Sequence, residues 1–219
     1  MVTSRVIQAE VEGVLDYLVE SEIALHVNTV SNELGSVSWR RFGSAERFLP
    51  NRGRPSTSDY RGWLVAGDYS AVLYDGALIQ LTYQVDGAML TTHRLAYVPP
   101  PFHMDVDMLQ SFPLVDVFDL YAQGSTADVV LNTVLRFDFD SAAAREGHPA
   151  SHLTLNHPDC RIACIAPVRV GLFFEFIFRH FYYSLWRAHP FFGGLPKTGW
   201  GRLSATERER QGIHMSWPH

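Results

Sequence analysis

Histidines, arginines and one aspartate occupy polar positions of the strands that the sequence predicts. They are His93, Arg94, Arg136, Asp138, His152 and Arg161. An imidazole transfers protons near neutral pH, and a guanidinium stabilises the negative charge that builds up on a phosphate during its transfer. We expect the two histidines to act as acid and base, the three arginines to bind a phosphate, and Asp138 to orient one of them. This set predicts a metal-independent ribonuclease or phosphodiesterase that uses the 2′-hydroxyl of RNA as its nucleophile. The alternative is structural: an Arg136–Asp138 ion pair and histidines bonded to their neighbours.

A metal site is a second interpretation of the histidines. His148, His152, His157 and Cys160 fall within thirteen residues, and a second cluster contains His103, Asp105 and Asp107. Zinc accepts such ligands, but neither spacing matches a known zinc template. Two carboxylates near the end of one predicted strand, on Asp138 and Asp140, keep magnesium-assisted chemistry open. On balance the sequence predicts no metal ligand set and no cofactor.

The basic residues limit the possible mechanisms. Lysine and arginine together number 18, and Lys197 is the only lysine, which leaves 17 arginines. Mechanisms that need a buried catalytic lysine are therefore nearly excluded, and the chain contains no phosphate-binding loop motif. The net charge of −5 also predicts poor affinity for duplex nucleic acid.

Arginines interleave with aromatic residues in one polar stretch between residues 39 and 60. This pattern is typical of proteins that bind single strands. The predicted nucleic-acid ligands are Arg40, Arg41, Arg52 and Arg54, together with Arg179 from the C-terminal helix. The expected partner is single-stranded RNA or another nucleic acid.

The elements that must position these residues follow from periodicity and turn signals. Apolar residues at helical spacing predict a helix over 6–25 with Ser4 as its N-cap. Asp75-Gly76 and Asp86-Gly87 predict tight turns in a meander over 70–98. A two-residue second turn would place His93 on one face with the even-numbered residues 80, 82 and 84, and Arg94 on the other face opposite Ile79.

Further elements complete the predicted fold. Strands are expected over 37–42, 129–138 and 152–156, a short helix within 102–120, and a buried aromatic helix over 172–186. The resulting fold class is α+β, with an antiparallel sheet of about five or six strands flanked by the N-terminal helix and the aromatic C-terminal helix. Residues 1–190 are predicted to form a single domain, and residues 191–219 a loosely structured Gly/Pro-rich tail.

The cysteines and the hydropathy pattern indicate the cellular compartment of the protein. Cys160 and Cys164 are the only cysteines, and an otherwise cysteine-free chain is typical of a reducing compartment. No apolar run approaches the length of a membrane span. We therefore expect a cytoplasmic protein with no membrane association.

Several stretches resemble an uncharacterised conserved bacterial family, a domain of unknown function of about two hundred residues. They are 79–83, 93–101, 136–138, 149–153, 160–162 and 176–182. The resemblance covers about half of the chain and implies no activity. More distantly, Arg136, Asp138 and His152 resemble the order Arg-aromatic-Asp and then His in ribonuclease-type toxins of toxin–antitoxin modules. That similarity implies a ribonuclease from a toxin or antiphage defence system.

Two functions from other classes stay open beside the ribonuclease. The aromatic C-terminal helix and the tail with Trp200 and Trp217 would suit a non-catalytic subunit that binds a partner protein or nucleic acid in a bacterial defence complex. A sensor that binds a nucleotide on the sheet face is the other alternative. If the protein is an enzyme, its site must bring His93, Arg136, Asp138 and His152 together in one water-accessible cleft.

Overall fold

A computed structural model of the chain describes residues 2–39, 54–123, 129–157, 159–201 and 203–218. Within these ranges the strands are β1 (Ala24–Val27), β2 (Ser31–Glu33), β3 (Ser36–Ser38), β4 (Ala71–Leu73), β5 (Leu78–Asp86), β6 (Met89–Val98), β7 (Leu135–Asp140), β8 (Ser151–Leu155) and β9 (Arg161–Ala163). The helices there are α1 (Ser4–Glu20), α2 (Thr57–Ala66), α3 (Val106–Ser111), α4 (Leu114–Ala122), α5 (Val170–Phe181), α6 (Tyr183–Ala188), α7 (Pro190–Gly194) and α8 (Glu207–Gln211).

The described strands form one antiparallel sheet of the order β1-β4-β5-β6-β7-β8-β9, with β3 pairing β5 and β2 pairing β3. This confirms the α+β class and the antiparallel sheet. The sheet has more strands than the five or six expected because β1, β2 and β9, which were not predicted, are only three or four residues long, whereas β3 overlaps the strand expected over 37–42. Such short segments carry too little alternation to be recognised in a sequence.

Helix α1 has the predicted amphipathic pattern. Ile7, Val11, Leu15 and Leu18 are buried, while the intervening polar residues face outward. The N-cap is Thr3, one residue before the predicted cap, and its hydroxyl accepts the Val6 N–H. The helix ends at Glu20, after which Glu22 adopts a left-handed φ of +57° and the Ile23 N–H donates to the Leu18 carbonyl before β1 begins.

Both predicted Asp-Gly turns are confirmed. Gly76 and Gly87 have φ values of +91° and +59°, a region that glycine enters without a Cβ clash. The first turn joins β4 to β5, and the second joins β5 to β6. The second turn therefore closes the antiparallel β5–β6 hairpin, in which Leu78 pairs with Val98.

The predicted register of the second hairpin is wrong. Asp86 pairs with Met89, and a bulge at Thr91 shifts the ladder, so that Gln84 pairs with Thr92. One extra residue on β6 exchanges the faces of everything beyond it. His93 therefore pairs with Tyr83, and Arg94 with Thr82, on opposite faces from those expected.

Helices α1 and α5 cover one face of the sheet, which we call the helical face. Its strand residues include Tyr83, Leu95, Phe137 and Leu153, all buried in the main core. The predicted aromatic helix is confirmed, and rings such as Phe173 pack on Phe137. It breaks at Tyr182, whose hydroxyl donates to the Asp75 carboxylate, and the chain continues as α6.

The C-terminal segment is more ordered than expected from its glycines and prolines. Phe192 is fully buried and Trp200 is 5% exposed, and both belong to the main core. Met215 bonds to the backbone beside β9, donating to Ala163 and accepting from Ile165. Phe192, Trp200 and Met215 therefore pack against the rest of the fold, whereas α8 has no buried residue.

The opposite face, which we call the open face, is covered only in part. Helices α2, α3 and α4 pack on it through a second core that includes Tyr60, Trp63 and Phe118. Helix α2 was not predicted, although Ser56 and Asp59 form a capping box at its start. Where these helices do not cover the sheet, Arg94 on β6 and Asp138 on β7 line a cavity. No helix in the described ranges is long and apolar enough to span a bilayer.

Candidate functional site

The uncovered part of the open face contains a cavity of about 840 Å³, which we call the trough. This volume falls within the usual size of a small-ligand site. The charged and titratable side chains that reach the trough from the open face are Arg94, Arg136, Asp138, Asp140, Arg145, His148, His152, Asp159 and Arg161. His93 and Tyr83 also border the cavity, but their side chains are buried on the helical face. Four arginines and two histidines therefore line one concavity from the open face.

Direct pairing of strands assembles the centre of the trough. Arg94 on β6 pairs with Asp138 on β7, which in turn pairs with His152 on β8. Residues in register on neighbouring antiparallel strands point to the same face, with Cβ atoms about 5 Å apart. Five of the six predicted catalytic residues, all except His93, converge here, because Arg136 and Arg161 lie on the same face one ladder step away.

Asp138 lies between two guanidiniums. Arg136 Nε donates to Oδ2 at 2.6 Å, and Arg94 Nε donates to Oδ1 at 3.2 Å. Burial alone would raise the pKa of the Asp138 carboxyl, but the two arginines lower it below its usual value. Asp138 is therefore ionised and holds both arginines in fixed orientations.

His152 is oriented from both sides. Its Nδ1 lies 2.9 Å from the Pro149 carbonyl, which can only accept, so the proton of the neutral ring is on Nδ1. Its Nε2 lies 3.6 Å from Asp138 Oδ2. Burial lowers the pKa of His152, and the Asp138 charge offsets this in part. At neutral pH Nε2 is a base whose protonated form would gain an ion pair with Asp138.

His148 completes the site, although its spacing in the sequence indicated only a possible metal cluster. Its ring meets the His152 ring edge-on, with centroids 4.9 Å apart. A tight turn joins it to Arg145, since each residue donates its N–H to the carbonyl of the other and Gly147 adopts φ +73°. Burial lowers the pKa of His148, and the charges of Arg161 and Arg145 lower it further. Gly147, at a turn position that needs a positive φ, is the signal that could have revealed this turn.

The structure corrects the position of His93. It lies on the helical face, 1% exposed, between the rings of Tyr83 and Phe139. Its Nε2 accepts the Val168 N–H at 2.8 Å, so the buried ring is neutral, and burial lowers its pKa to about 4. The bulge at Thr91 removes this residue from the predicted acid–base pair, and His148 occupies the corresponding place near His152.

The predicted nucleic-acid ligands do not join the trough where they are described. Arg54 is exposed ahead of α2, and Arg179 on α5 stacks over Trp186 on the helical side. Arg40, Arg41 and Arg52 lie outside the described residues. Arg145, which the sequence analysis did not select, is the additional arginine at the site.

The acidic residues of the proposed metal clusters have other contacts. Asp140 Oδ1 accepts the backbone N–H groups of Ala142 and Ala143, and Asp105 caps α3. No group of three or more His, Cys, Asp or Glu side chains in the described part of the chain is placed to hold a metal ion. Cys160 and Cys164 are free thiols.

Fold and site together define a class: an α+β protein with an open antiparallel sheet whose uncovered face carries a histidine–arginine trough. The chain belongs to the family described as an uncharacterized conserved protein (DUF2290), whose model matches residues 18–217. This confirms the resemblance to a conserved family of about two hundred residues. No curated protein and no solved structure matches the chain.

Proposed function

We propose that the protein is a metal-independent ribonuclease or related phosphodiesterase, with its active site in the trough. The observation that carries the proposal is the contact between His148 and His152 in a cavity that Arg145 and Arg161 also line. Two imidazoles and nearby guanidiniums are the groups that phosphodiester cleavage needs when no metal takes part.

His152 acts as the base. Neutral Nε2 takes the proton of the 2′-hydroxyl, and the 2′-oxygen attacks phosphorus. The imidazolium that forms is stabilised by the Asp138 carboxylate 3.6 Å away. Asp138 and Pro149 are positioning groups, because they hold the ring and its tautomer without touching the substrate.

His148 acts as the acid. The bond between phosphorus and the 5′-oxygen breaks as protonated His148 gives its proton to that oxygen, which leaves a 2′,3′-cyclic phosphate and a free 5′-hydroxyl. Arg145 and Arg161 favour loss of this proton, since they lower the pKa of His148. Their guanidiniums also face the charge that develops on the phosphate oxygens.

The test is cleavage of end-labelled single-stranded RNA in EDTA. We expect the wild-type protein to cleave, and His148→Gln and His152→Ala to lose activity about 10²- to 10⁴-fold. Since His152 is buried, its variant needs a melting curve to confirm folding, whereas His148 is more accessible. The matched control is His103→Ala, which removes an exposed histidine outside the trough.

Two results would overturn this proposal. Cleavage that vanishes in EDTA and returns with Mg²⁺ would assign the reaction to a metal. Equal cleavage by the wild type and by folded His148→Gln and His152→Ala would remove both histidines from the chemistry.

We extend the proposal to a cytoplasmic ribonuclease of a toxin or antiphage defence system. The free thiols of Cys160 and Cys164 agree with a reducing compartment. The partner-binding alternative loses part of its support, because Trp200 and the α5 rings Phe173, Phe174 and Phe178 are buried in the core and cannot contact a partner.

A further inference from the structure

The trough extends well beyond the histidines. It includes Ser36 on β3, Thr82 and Gln84 on β5, and Thr92 on β6, which we call the neutral arm. These residues share the open face, since Ser36 pairs with Gln84 and Gln84 pairs with Thr92. The neutral arm offers hydroxyl and amide groups. Arg94 and Asp140 lie beside it, paired with Thr82 and Thr92, whereas the other arginines and both histidines lie towards the other end.

The distance between the two ends follows from the sheet. Three interstrand steps separate β5 from β8, where His152 lies. At about 4.8 Å per step they span about 14 Å. A single phosphate with hydrogen bonds of about 3 Å fills only the basic end. An occupant of the whole trough is anionic at one end and uncharged and polar at the other.

The neutral arm provides hydrogen-bonding groups but no accessible aromatic ring. Tyr83 and Phe139 border the trough, yet they are 1% and 8% exposed and lie on the helical face. Base stacking on aromatic side chains is therefore not provided by the described residues. Hydrogen bonds to sugar hydroxyls and base edges are the remaining mode of contact.

We infer that the trough binds a single-stranded RNA segment of at least two nucleotides, with the cleaved phosphate at the histidines and the adjoining nucleotide along the neutral arm. The inference rests on the proposed function for its substrate class. It adds that the enzyme cuts within chains rather than releasing a phosphate from mononucleotides. It also assigns Thr82 and Thr92 as contacts of the neighbouring nucleotide.

The experiment measures binding without cleavage. Uridylates with 2′-fluoro sugars lack the nucleophile, so they report affinity alone. Calorimetric titration compares the 3′-mononucleotide with the trinucleotide on the full-length protein. We expect the trinucleotide to bind about tenfold more tightly, which corresponds to about 1.4 kcal/mol. The double variant Thr82→Val/Thr92→Val should lose that tenfold gain and bind the mononucleotide unchanged.

The control and the outcomes separate the two proposals. Thr29→Val removes an exposed threonine outside the trough and should behave as wild type. Valine keeps the β-branched shape, so the strands should form normally. Equal affinity for mononucleotide and trinucleotide, or a full gain in the double variant, would overturn the inference. Length-dependent binding without cleavage of ordinary RNA would instead remove the catalytic proposal and leave the extended ligand in place.

Discussion

His93 and His152 are both buried on central strands of one sheet, yet they face opposite sides. Their exposures, 1% and 4%, are nearly the same, and burial lowers the pKa of both. The difference lies in what surrounds each ring. His93 is enclosed by aromatic rings and by a backbone N–H, whereas His152 Nε2 faces a carboxylate at the edge of a cavity. A lowered pKa alone therefore does not identify a catalytic histidine, and the groups around it do.

The largest expected difference between the two faces concerns catalysis. His148→Gln on the open face should reduce RNA cleavage about 10²- to 10⁴-fold without lowering the melting temperature. His93→Gln on the helical face should leave cleavage within a few-fold and lower the free energy of unfolding by about 1–3 kcal/mol, because it disturbs the bond to the Val168 N–H. Initial rates and denaturant unfolding measure the two effects. A large loss of cleavage in folded His93→Gln would contradict the division between faces.

The second effect is the pH dependence of stability. The pKa of His93 is about 4 in the folded protein and 6.5 when unfolded, so the unfolded chain binds more protons between these values. Stability therefore falls as the pH drops from 6.5 to 4, and His93 accounts for about 3 kcal/mol of the loss. Unfolding at several pH values should show a loss smaller by about that amount in His93→Gln. An unchanged pH dependence in the variant would mean that His93 has the same pKa in the folded and the unfolded protein.

A smaller effect concerns phosphate binding on the open face. Arg161→Ala should weaken binding of a 2′-fluoro trinucleotide about tenfold and reduce the slope of log affinity against log salt by about 0.7. The control is Arg187→Ala, which removes the same charge from an exposed position on α6 outside the trough. Equal effects of the two substitutions would point to general electrostatic attraction instead of a defined site.

The smallest effect is on the pH profile of cleavage. The proposed reaction needs neutral His152 and protonated His148, and both pKa values lie below 6.5, so the optimum should lie below 6.5 as well. Arg161→Gln removes a charge that lowers the pKa of His148. Its alkaline limb should therefore move to higher pH in a plot of kcat against pH. A shift to lower pH would contradict the assignment of His148 as the acid.

Part of the site could be predicted because alternation within a strand is a local property. Arg136 and Asp138 stand two residues apart, so any strand through them brings both to one face. The ion pair between them is also the structural alternative that the sequence analysis considered, and in the structure it serves to hold His152 in place. His148 was missed because it follows a tight turn outside the regular strands.

The sequence by itself determined the α1 and α5 helices, the two Asp-Gly turns and the antiparallel class, since each depends on periodicity or on glycine conformations over a few residues. Only the tertiary structure decided which face each strand residue occupies. The bulge at Thr91 adds one residue to β6, and its effect on His93 and Arg94 depends on pairing with β5 and β7. Likewise, the trough exists because α2, α3 and α4 cover only part of the open face, and such long-range packing has no local signal in the chain.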